Sequence, residues 1–144
     1  MLNEIVELLP HRAPFLFVDE ITGADREKIT AKHVFAQNEF FFTGHFPGYP
    51  VVPGVILIET MAQSGGAGLR KLGILESNSL FFLAAVEKAK FRRQVRPGEE
   101  VRSEIQNLRV SGKMIRQCGK AYVGNELAAE AEWLCLAGSK PEEP

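Results

Sequence analysis

The stretch that decides the fold is Gly44-His45-Phe46-Pro47-Gly48-Tyr49-Pro50-Val51-Val52-Pro53-Gly54, together with the apolar run that follows it from residue 55 to residue 72. Three prolines and three glycines within eleven residues are incompatible with a regular helix or strand. The first segment is therefore predicted to be a stiff, turned loop that presents a histidine. The second has the pattern of a helix buried on nearly every side, with a proline in its first turn and Gly73 just after its end.

The rest of the chain is predicted to form strands around this helix. A short amphipathic helix precedes Pro10, and six strands are expected at residues 15–22, 28–36, 79–91, 100–110, 113–123 and 126–137. Short turns between consecutive strands favour an antiparallel sheet, and a helix this apolar must be wrapped by it. We therefore expect one α+β domain over residues 1–137. A polar tail, residues 138–144, is expected to be disordered.

Composition excludes several classes of protein. The chain has 144 residues and a net charge of −1, so it lacks the basic footprint of a nucleic-acid-binding protein. No run has the roughly 20 apolar residues that a membrane helix needs, and no signal peptide is apparent, so a cytoplasmic protein is expected. If Gly124-Asn125 forms a hairpin turn, Cys118 lies opposite Ala131. Cys135 is then four residues further along the opposite strand, about 13 Å away. That separation is too large for a disulfide, and both thiols are predicted to be reduced.

Glu59 is the single full charge within the apolar part of the predicted helix. Helical spacing places Gln63 one turn from it and Thr60 and Ser64 beside it, which makes one narrow polar stripe. Desolvation favours the neutral form of a carboxyl group there and raises its pKa, which suits a general acid, and Gln63 could fix its rotamer. Alternatively, the stripe faces solvent, or Glu59 pairs with an arginine in a purely structural role.

His45 has the sequence context of a catalytic base. Its loop is rigid, and a free carbonyl such as that of Val51 could accept from one ring nitrogen and leave the other as a base. His11 and His33 lack such a context and are not expected to be catalytic. Gly54 lies in the first helical turn, where unpaired N–H groups and the helix dipole would stabilise an enolate oxygen.

A base, an acid and an oxyanion donor together fit one reaction, the dehydration of a 3-hydroxyacyl compound. No serine or cysteine nucleophile neighbours the histidine. The chemistry requires neither a metal nor an organic cofactor, and no Cys/His cluster suggests zinc.

The motifs resemble a known family over nearly the whole chain, to about residue 137. Residues 44–55 with Glu59 and Ala62-Gln63 resemble the (3R)-hydroxyacyl-[acyl-carrier-protein] dehydratases of bacterial type II fatty acid synthesis. So do residues 9–12 with 14–16 and 18–19, and residues 90–93 with 95 and 97–98. The resemblance implies a hotdog fold, in which an antiparallel sheet wraps a long central helix.

The resemblance also implies an assembly and a division of roles. The family forms homodimers, often trimers of dimers, and each active site takes its histidine from one subunit and its glutamate from the other. His45 and Glu59 match the catalytic pair, Gly54 the glycine whose N–H binds the thioester carbonyl, and Val51 the residue that orients the histidine. Two other functions stay open on the same fold: an acyl thioesterase, and an acyl-binding module without catalysis.

The implied partner is an acyl carrier protein, which is acidic and needs a basic docking surface. Residues 88–96 supply a local basic cluster: Lys88, Lys90, Arg92, Arg93 and Arg96. In a regular strand, the first three share one face. Part of this cluster is expected to receive the carrier, although a solvated strand edge would look the same.

Overall fold

The fold consists of six strands and two helices in a computed structural model that describes residues 2–76 and 79–141. In chain order the elements are α1 (Leu2–Leu8), β1 (Glu20–Ala24), β2 (Lys28–Val34), α2 (Gly54–Lys71), β3 (Ser79–Phe91), β4 (Glu100–Ser111), β5 (Met114–Val123) and β6 (Glu126–Ser139). The six strands form one sheet in the order β1-β2-β4-β5-β6-β3, and every neighbouring pair is antiparallel. The helix α2 contacts all six strands, so the predicted α+β class is confirmed.

Helix α2 is buried along most of its length, as its composition predicts. Three glycines allow this close packing, because a Cβ atom at each would collide with a side chain from a different strand. At Gly65 it would lie 2.2 Å from Oε1 of Gln117 on β5, and at Gly66 it would lie 2.4 Å from Cζ of Phe81 on β3. At Gly68 it would lie 2.5 Å from Cγ2 of Ile29 on β2.

A small hydrogen-bonded group supports the sheet beneath α2. The indole N–H of Trp133 donates to Oε1 of Gln117 at 3.2 Å, and Nε2 of Gln117 donates to Oδ1 of Asn107 at 2.8 Å. Trp133 and Gln117 are both fully buried, so these bonds satisfy polar groups that water cannot reach.

The segment at residues 15–18 is not a strand, which corrects the prediction for its position. Its backbone groups bond to a side chain of α2 instead of to a neighbouring strand: Phe17 N–H donates to Oε1 of Gln63, and Nε2 of Gln63 donates to the Phe15 carbonyl. Pairing with β2 begins only at Asp19, whose N–H donates to the Lys32 carbonyl. Apolarity predicted the burial of Phe17, but it did not predict this long-range partner.

Two further differences concern the last hairpin. Strand β6 continues through Gly138 to Ser139, which pairs with Ser79, so the final strand is two residues longer than predicted. Of the expected disordered tail, residues 142–144 lie outside the described residues. A register shift between Ala121 and Tyr122 places Cys118 opposite Glu132 and not Ala131. Both cysteines are free, as predicted.

Candidate active site

The histidine loop is fixed by hydrogen bonds on both sides of His45. Its backbone N–H donates to the Phe41 carbonyl at 3.0 Å, and its carbonyl accepts from Val51 N–H at 2.9 Å. Its Nδ1 lies 2.8 Å from the Val51 carbonyl oxygen. A carbonyl can only accept, so Nδ1 carries the proton in this bond and Nε2 keeps its lone pair. The half-buried imidazole is therefore oriented with a basic nitrogen away from its own loop.

The start of α2 lies beside this histidine. Gly54 is the first residue of the helix, so no preceding turn supplies a carbonyl for its N–H group. A Cβ atom at this position would lie 2.9 Å from Cε1 of Phe91, whose ring covers the helix start. His45, Gly54 and Phe91 share a cavity of about 660 Å³ with Arg92 and Arg93. This cavity offers an apolar wall, a basic nitrogen and a free helix terminus.

Glu59 lies on the half-buried part of α2, with 21% of its side chain exposed. Its Oε2 accepts a hydrogen bond from Nε2 of Gln63 at 2.9 Å. Burial raises the pKa of Glu59 above its ordinary value, and the hydrogen bond from Gln63 opposes that rise. The neighbouring hydroxyls of Thr60 and Ser64 are buried and donate to helix carbonyls one turn back, so the polar stripe does not face solvent.

Gln63 joins the carboxyl group to the N-terminal segment. It accepts from Phe17 N–H at 2.8 Å and donates to both the Phe15 carbonyl and Glu59. Because these bonds use its whole amide group, its rotamer is fixed by the fold. The orientation of Glu59 consequently depends on a segment more than forty residues earlier in the chain.

His11 is a neighbour of Glu59 that sequence reasoning missed. Its Nε2 lies 3.7 Å from Oε2 of Glu59, and its ring centroid lies 5.3 Å from that of Phe81. Burial, and then the charge of Arg12, lower the pKa of His11, which favours the neutral ring. Its Nδ1 is buried without a hydrogen-bond partner among the described residues. The sequence did contain one signal for this contact. His11 lies in a bend between two prolines, next to a buried apolar segment, and this bend carries His11 back over α2.

His33 lies away from these groups, as expected. It is buried on β2, with Nδ1 2.9 Å from Oδ1 of Asp19 and Nε2 3.8 Å from Oε1 of Glu39. It connects β2 to the segments before and after it and lines neither the His45 cavity nor the surroundings of Glu59.

Within the described residues of one chain, the two groups of the predicted pair are apart. His45 and Glu59 form no hydrogen bond or ion pair with each other, and Glu59 does not line the His45 cavity. One chain thus presents the His45 imidazole and the Gly54 N–H in one place and the Glu59 carboxyl group in another.

The basic cluster is less regular than predicted. Lys88 has φ +54° and the register shifts between Glu87 and Lys90, so the alternation expected along the strand is broken there. Strand β3 ends at Phe91, before the arginines. These arginines already have partners: Arg92 pairs with Glu130, Arg93 with Glu99 and Glu126, and Arg96 lies over the ring of Tyr49. Arg92 and Arg93 line the His45 cavity.

The part of the chain that the structure describes holds neither a cluster of metal ligands nor a membrane-spanning helix. Residues 2–76 and 79–141 contain no group of three or more His, Cys, Asp or Glu side chains that could hold a metal ion. None of the described helices is long and apolar enough to cross a membrane.

An antiparallel sheet packed around one long buried helix, with a histidine loop leading into that helix, defines the hotdog class of α+β proteins. Residues 9–132 match the family model described as a FabA-like domain. The chain belongs to this family, and the resemblance inferred from its motifs is confirmed.

Individual relatives agree with this assignment. The chain is 47% identical over 133 residues to the 3-hydroxyacyl-[acyl-carrier-protein] dehydratase FabZ of Pelotomaculum thermopropionicum, covering 91% of this chain and 94% of the relative. It is 46% identical to the protein of the same name from Desulforamulus reducens, covering 96% and 98%. Among solved structures, the dehydratase heterocomplex ApeI:P from Xenorhabdus doucetiae has a similar fold, with a TM-score of 0.82, 16% identity and coverage of 94% and 91%.

Proposed function

We propose that the chain dehydrates (3R)-hydroxyacyl groups carried on acyl carrier protein, with His45 as the base and Glu59 as the acid. The enzyme is a hydro-lyase of fatty acid biosynthesis, a function supported by its relatives. Nε2 of His45 removes a proton from C2, and the Gly54 N–H stabilises the negative charge that develops on the thioester oxygen. The carboxyl group of Glu59 donates a proton to the C3 hydroxyl. The C3–O bond breaks, water leaves, and the C2–C3 double bond of the trans-2-enoyl product forms.

The observation that carries this proposal is the 2.8 Å contact between Nδ1 of His45 and the Val51 carbonyl. It supports a single tautomer, with a lone pair on the nitrogen that must take the proton. The half-buried Glu59 supports the complementary role, because burial raises its pKa and a general acid must hold its proton near neutral pH. Gln63 is a supporting residue that orients this acid.

The reaction is tested by incubating the protein with a (3R)-hydroxyacyl-carrier substrate and following the ultraviolet absorption of the enoyl product. His45→Ala should remove most of the activity and leave the oligomer intact, and near-normal turnover in that variant would end the assignment. Release of free thiol without enoyl formation would instead indicate a thioesterase. Binding without turnover would indicate the acyl-binding module. Relatives named as dehydratases at above 40% identity favour the first outcome.

A homodimer would bring the separated groups together. Strand β3 lies at an edge of the sheet, so one side of its backbone is free to pair with another strand. Apolar side chains beside that edge are exposed, including Val55 at 72%, Phe91 at 52% and Val86 at 43%. A second copy covering them would bury this surface and place its Glu59 near the first copy's His45. Assembly of three such dimers follows from the family resemblance alone.

Subunit mixing tests whether the active site is shared. His45→Ala and Glu59→Gln are each expected to be inactive as pure proteins. If they are mixed and allowed to exchange subunits, half of the dimers become hybrids in which one of two sites has both groups. Activity should then recover to about a quarter of the wild-type value. A mixture that exchanges subunits, as shown by mass spectrometry, but stays inactive would refute a shared site.

The partner that delivers the substrate is an acyl carrier protein, and we place its docking surface at Lys90, Arg92, Arg93 and Arg96. Arg92 is the most informative of these for a test of the docking surface. Its half-exposed side chain lines the His45 cavity, and its ion pair with Glu130 lies at the surface. Arg92→Glu should raise KM for the carrier-bound substrate and leave a short free thioester unaffected. Arg109→Glu, on an exposed part of β4, is the matched control. Equal effects of Arg92→Glu on both substrates would contradict the docking surface.

A cytoplasmic location is part of the same proposal. It is supported by the two free cysteines, since extracellular domains of this size often carry disulfides. Fractionation of cells that express the full chain would test it.

A further inference from the structure

The loop that carries His45 is bonded to itself as a narrow hairpin. Across its tip, Phe46 N–H donates to the Tyr49 carbonyl at 3.1 Å, and Tyr49 N–H donates to the Phe46 carbonyl at 2.9 Å. The next pair inward is His45 and Val51, joined by a backbone bond and by the 2.8 Å contact to Nδ1. Because these two pairs are adjacent, a displacement of the tip moves the Val51 carbonyl relative to the imidazole.

Few contacts hold the tip of this hairpin within one chain. Residues 46–49 are all exposed, so packing does not fix them. Among the residues that the structure describes, a single hydrogen bond joins residues 46–50 to another part of the chain: the Tyr49 hydroxyl donates to Oε1 of Gln94 at 2.9 Å. The other hydrogen bonds that leave the loop lie at its base. The position of the tip therefore depends on the side chain of Tyr49.

The ring of Tyr49 makes a second contact with the same neighbouring segment. The guanidinium carbon of Arg96 lies 4.0 Å from the centroid of this ring, within the range of a cation–π interaction. The hydroxyl group and the ring face of Tyr49 thus bind two different residues of one segment. Each contact can be removed by a separate substitution.

The segment that receives Tyr49 is itself held in place. Nη1 and Nη2 of Arg93 donate to the two carboxylate oxygens of Glu99 at 2.9 and 2.7 Å, and Arg96 N–H donates to the same carboxylate at 2.8 Å. Val95, between these arginines, is fully buried. The tip of the histidine hairpin therefore rests on a fixed support.

We infer that Tyr49 is a positioning residue for His45, because it fixes the tip of the hairpin on residues 94–96 and so keeps the Val51 carbonyl on Nδ1. The inference rests on the proposed function, since it takes His45 as the base. Without Tyr49 the tip is free to move, and an imidazole that loses its acceptor divides its proton between the two ring nitrogens. Molecules protonated on Nε2 cannot remove the substrate proton, so the active fraction of the enzyme falls.

The first test measures kcat and KM with a short (3R)-hydroxyacyl thioester that lacks the carrier, so that carrier docking does not affect the result. Tyr49→Phe removes the hydroxyl group and keeps the ring under Arg96. Its kcat should fall roughly fivefold, the population effect of one hydrogen bond, while KM stays within about twofold of wild type. Tyr49→Ala removes both contacts and should lower kcat by more than about tenfold. Gln94→Leu removes the same hydrogen bond from the other side, so it should match Tyr49→Phe, and the double variant should fall no further than either.

The second test detects the proton on His45 directly. Proton–nitrogen NMR correlation spectra of protein with isotope-labelled histidine distinguish the two tautomers of the neutral ring, and comparison with His45→Ala identifies the His45 signals. Wild type should be protonated at Nδ1, and Tyr49→Ala should show both tautomers. Tyr122→Phe and Tyr122→Ala are the matched controls, because Tyr122 is the other tyrosine of the chain and lies on β5 under Arg102 at 4.6 Å. They should change neither kcat nor the His45 signals.

The possible failures are distinguishable. Circular dichroism shows whether each variant folds, and if Tyr49→Ala does not, Tyr49→Phe and Gln94→Leu decide the question. A kcat within about twofold of wild type in the folded Tyr49 variants, or a lower kcat with an unchanged His45 tautomer, would overturn the inference and leave the proposed reaction standing. Additive losses in the double variant would overturn it as well. A wild-type protein that forms no enoyl product would overturn the reaction, and the spectra would still show whether Tyr49 fixes the ring.

Discussion

Replacing Gln63 with leucine tests whether the fold holds the acid in place and tunes it. The change keeps the approximate size of the side chain and removes every hydrogen bond of its amide. Phe17 N–H, which belongs to a fully buried residue, loses its acceptor, and the Phe15 carbonyl loses a donor at a half-exposed position. A buried polar group without a partner costs about 1–3 kcal/mol, and the exposed carbonyl can partly recover its loss from water. The variant should therefore lose about 2–4 kcal/mol of unfolding free energy.

The same substitution should change the pH dependence of catalysis. Burial raises the pKa of Glu59, and the hydrogen bond from Gln63 partly lowers it. Without that bond, the pKa of Glu59 rises further. In the proposed reaction Glu59 acts in its protonated form, so activity should fall as pH rises through this pKa. The alkaline limb of kcat/KM against pH is therefore expected to move to higher pH in Gln63→Leu.

Both effects can be measured on the same preparation. Trp133 is the only tryptophan and is fully buried, so its fluorescence follows denaturant unfolding of the core. Wild type and variant are compared at equal protein concentration, because an oligomer gains stability by mass action. Gln106→Leu, on an exposed part of β4, is the matched control and should stay within about 0.5 kcal/mol of wild type. An unfolding free energy of Gln63→Leu equal to the control, or an alkaline limb that stays in place, would refute the reasoning.

Three further predictions concern the same helix and its neighbours. Gly65→Ala should lower the free energy of unfolding by about 2–4 kcal/mol, because the added methyl group displaces Gln117 from two buried hydrogen bonds. In a Gln117→Ala background, the same change should be neutral or stabilising by up to ~1 kcal/mol. Equal losses in both backgrounds, measured by denaturant unfolding, would contradict the clash. Burial raises the pKa of Glu59 in the folded state, so the stability that its proton contributes is present at acidic pH and is lost as pH rises through the folded-state pKa. Glu59→Gln should therefore be more stable than wild type at alkaline pH, and the difference in unfolding free energy should shrink toward acidic pH. The proposed role of Glu59 also requires this variant to be inactive. A constant or reversed difference in unfolding free energy would argue against a desolvated carboxyl group. His11→Phe keeps a ring on Phe81 but removes the nitrogen beside the acid, and it should lower kcat by up to about tenfold with unchanged unfolding, whereas an unchanged kcat would show that His11 only packs.

Local chemistry explains which parts of the fold could be predicted. The ends of α2 follow from Pro53 and Gly73, whose backbone preferences act within a few residues. The contact between His45 and the Val51 carbonyl also lies within a short loop that its prolines restrict. The pairing of β4 with β5 and of β5 with β6 follows from the short turns that join them.

Long-range contacts explain what could not be predicted. Residues 15–18 have the composition of a strand, but Gln63, in a helix far along the chain, satisfies their backbone groups. The approach of His11 to Glu59 depends on the position of the same segment. Sequence reasoning therefore missed this contact as well as the bonds to Gln63. The register shift at Lys88 could not be predicted either, because the alternation of polar and apolar residues does not indicate where the pairing of two strands shifts.

The three glycines of α2 have a consequence for how the enzyme could change its activity. Each contacts a different strand, so together they fix both the rotation and the axial position of the helix. A slip of one residue would move the Glu59 carboxyl group about 1.5 Å along the axis and turn it by roughly 100°. The register of the helix against its sheet is thus part of the geometry of the proposed site. Selection for altered activity should find substitutions around Gly65, Gly66 and Gly68, at positions that never touch the reacting carbons.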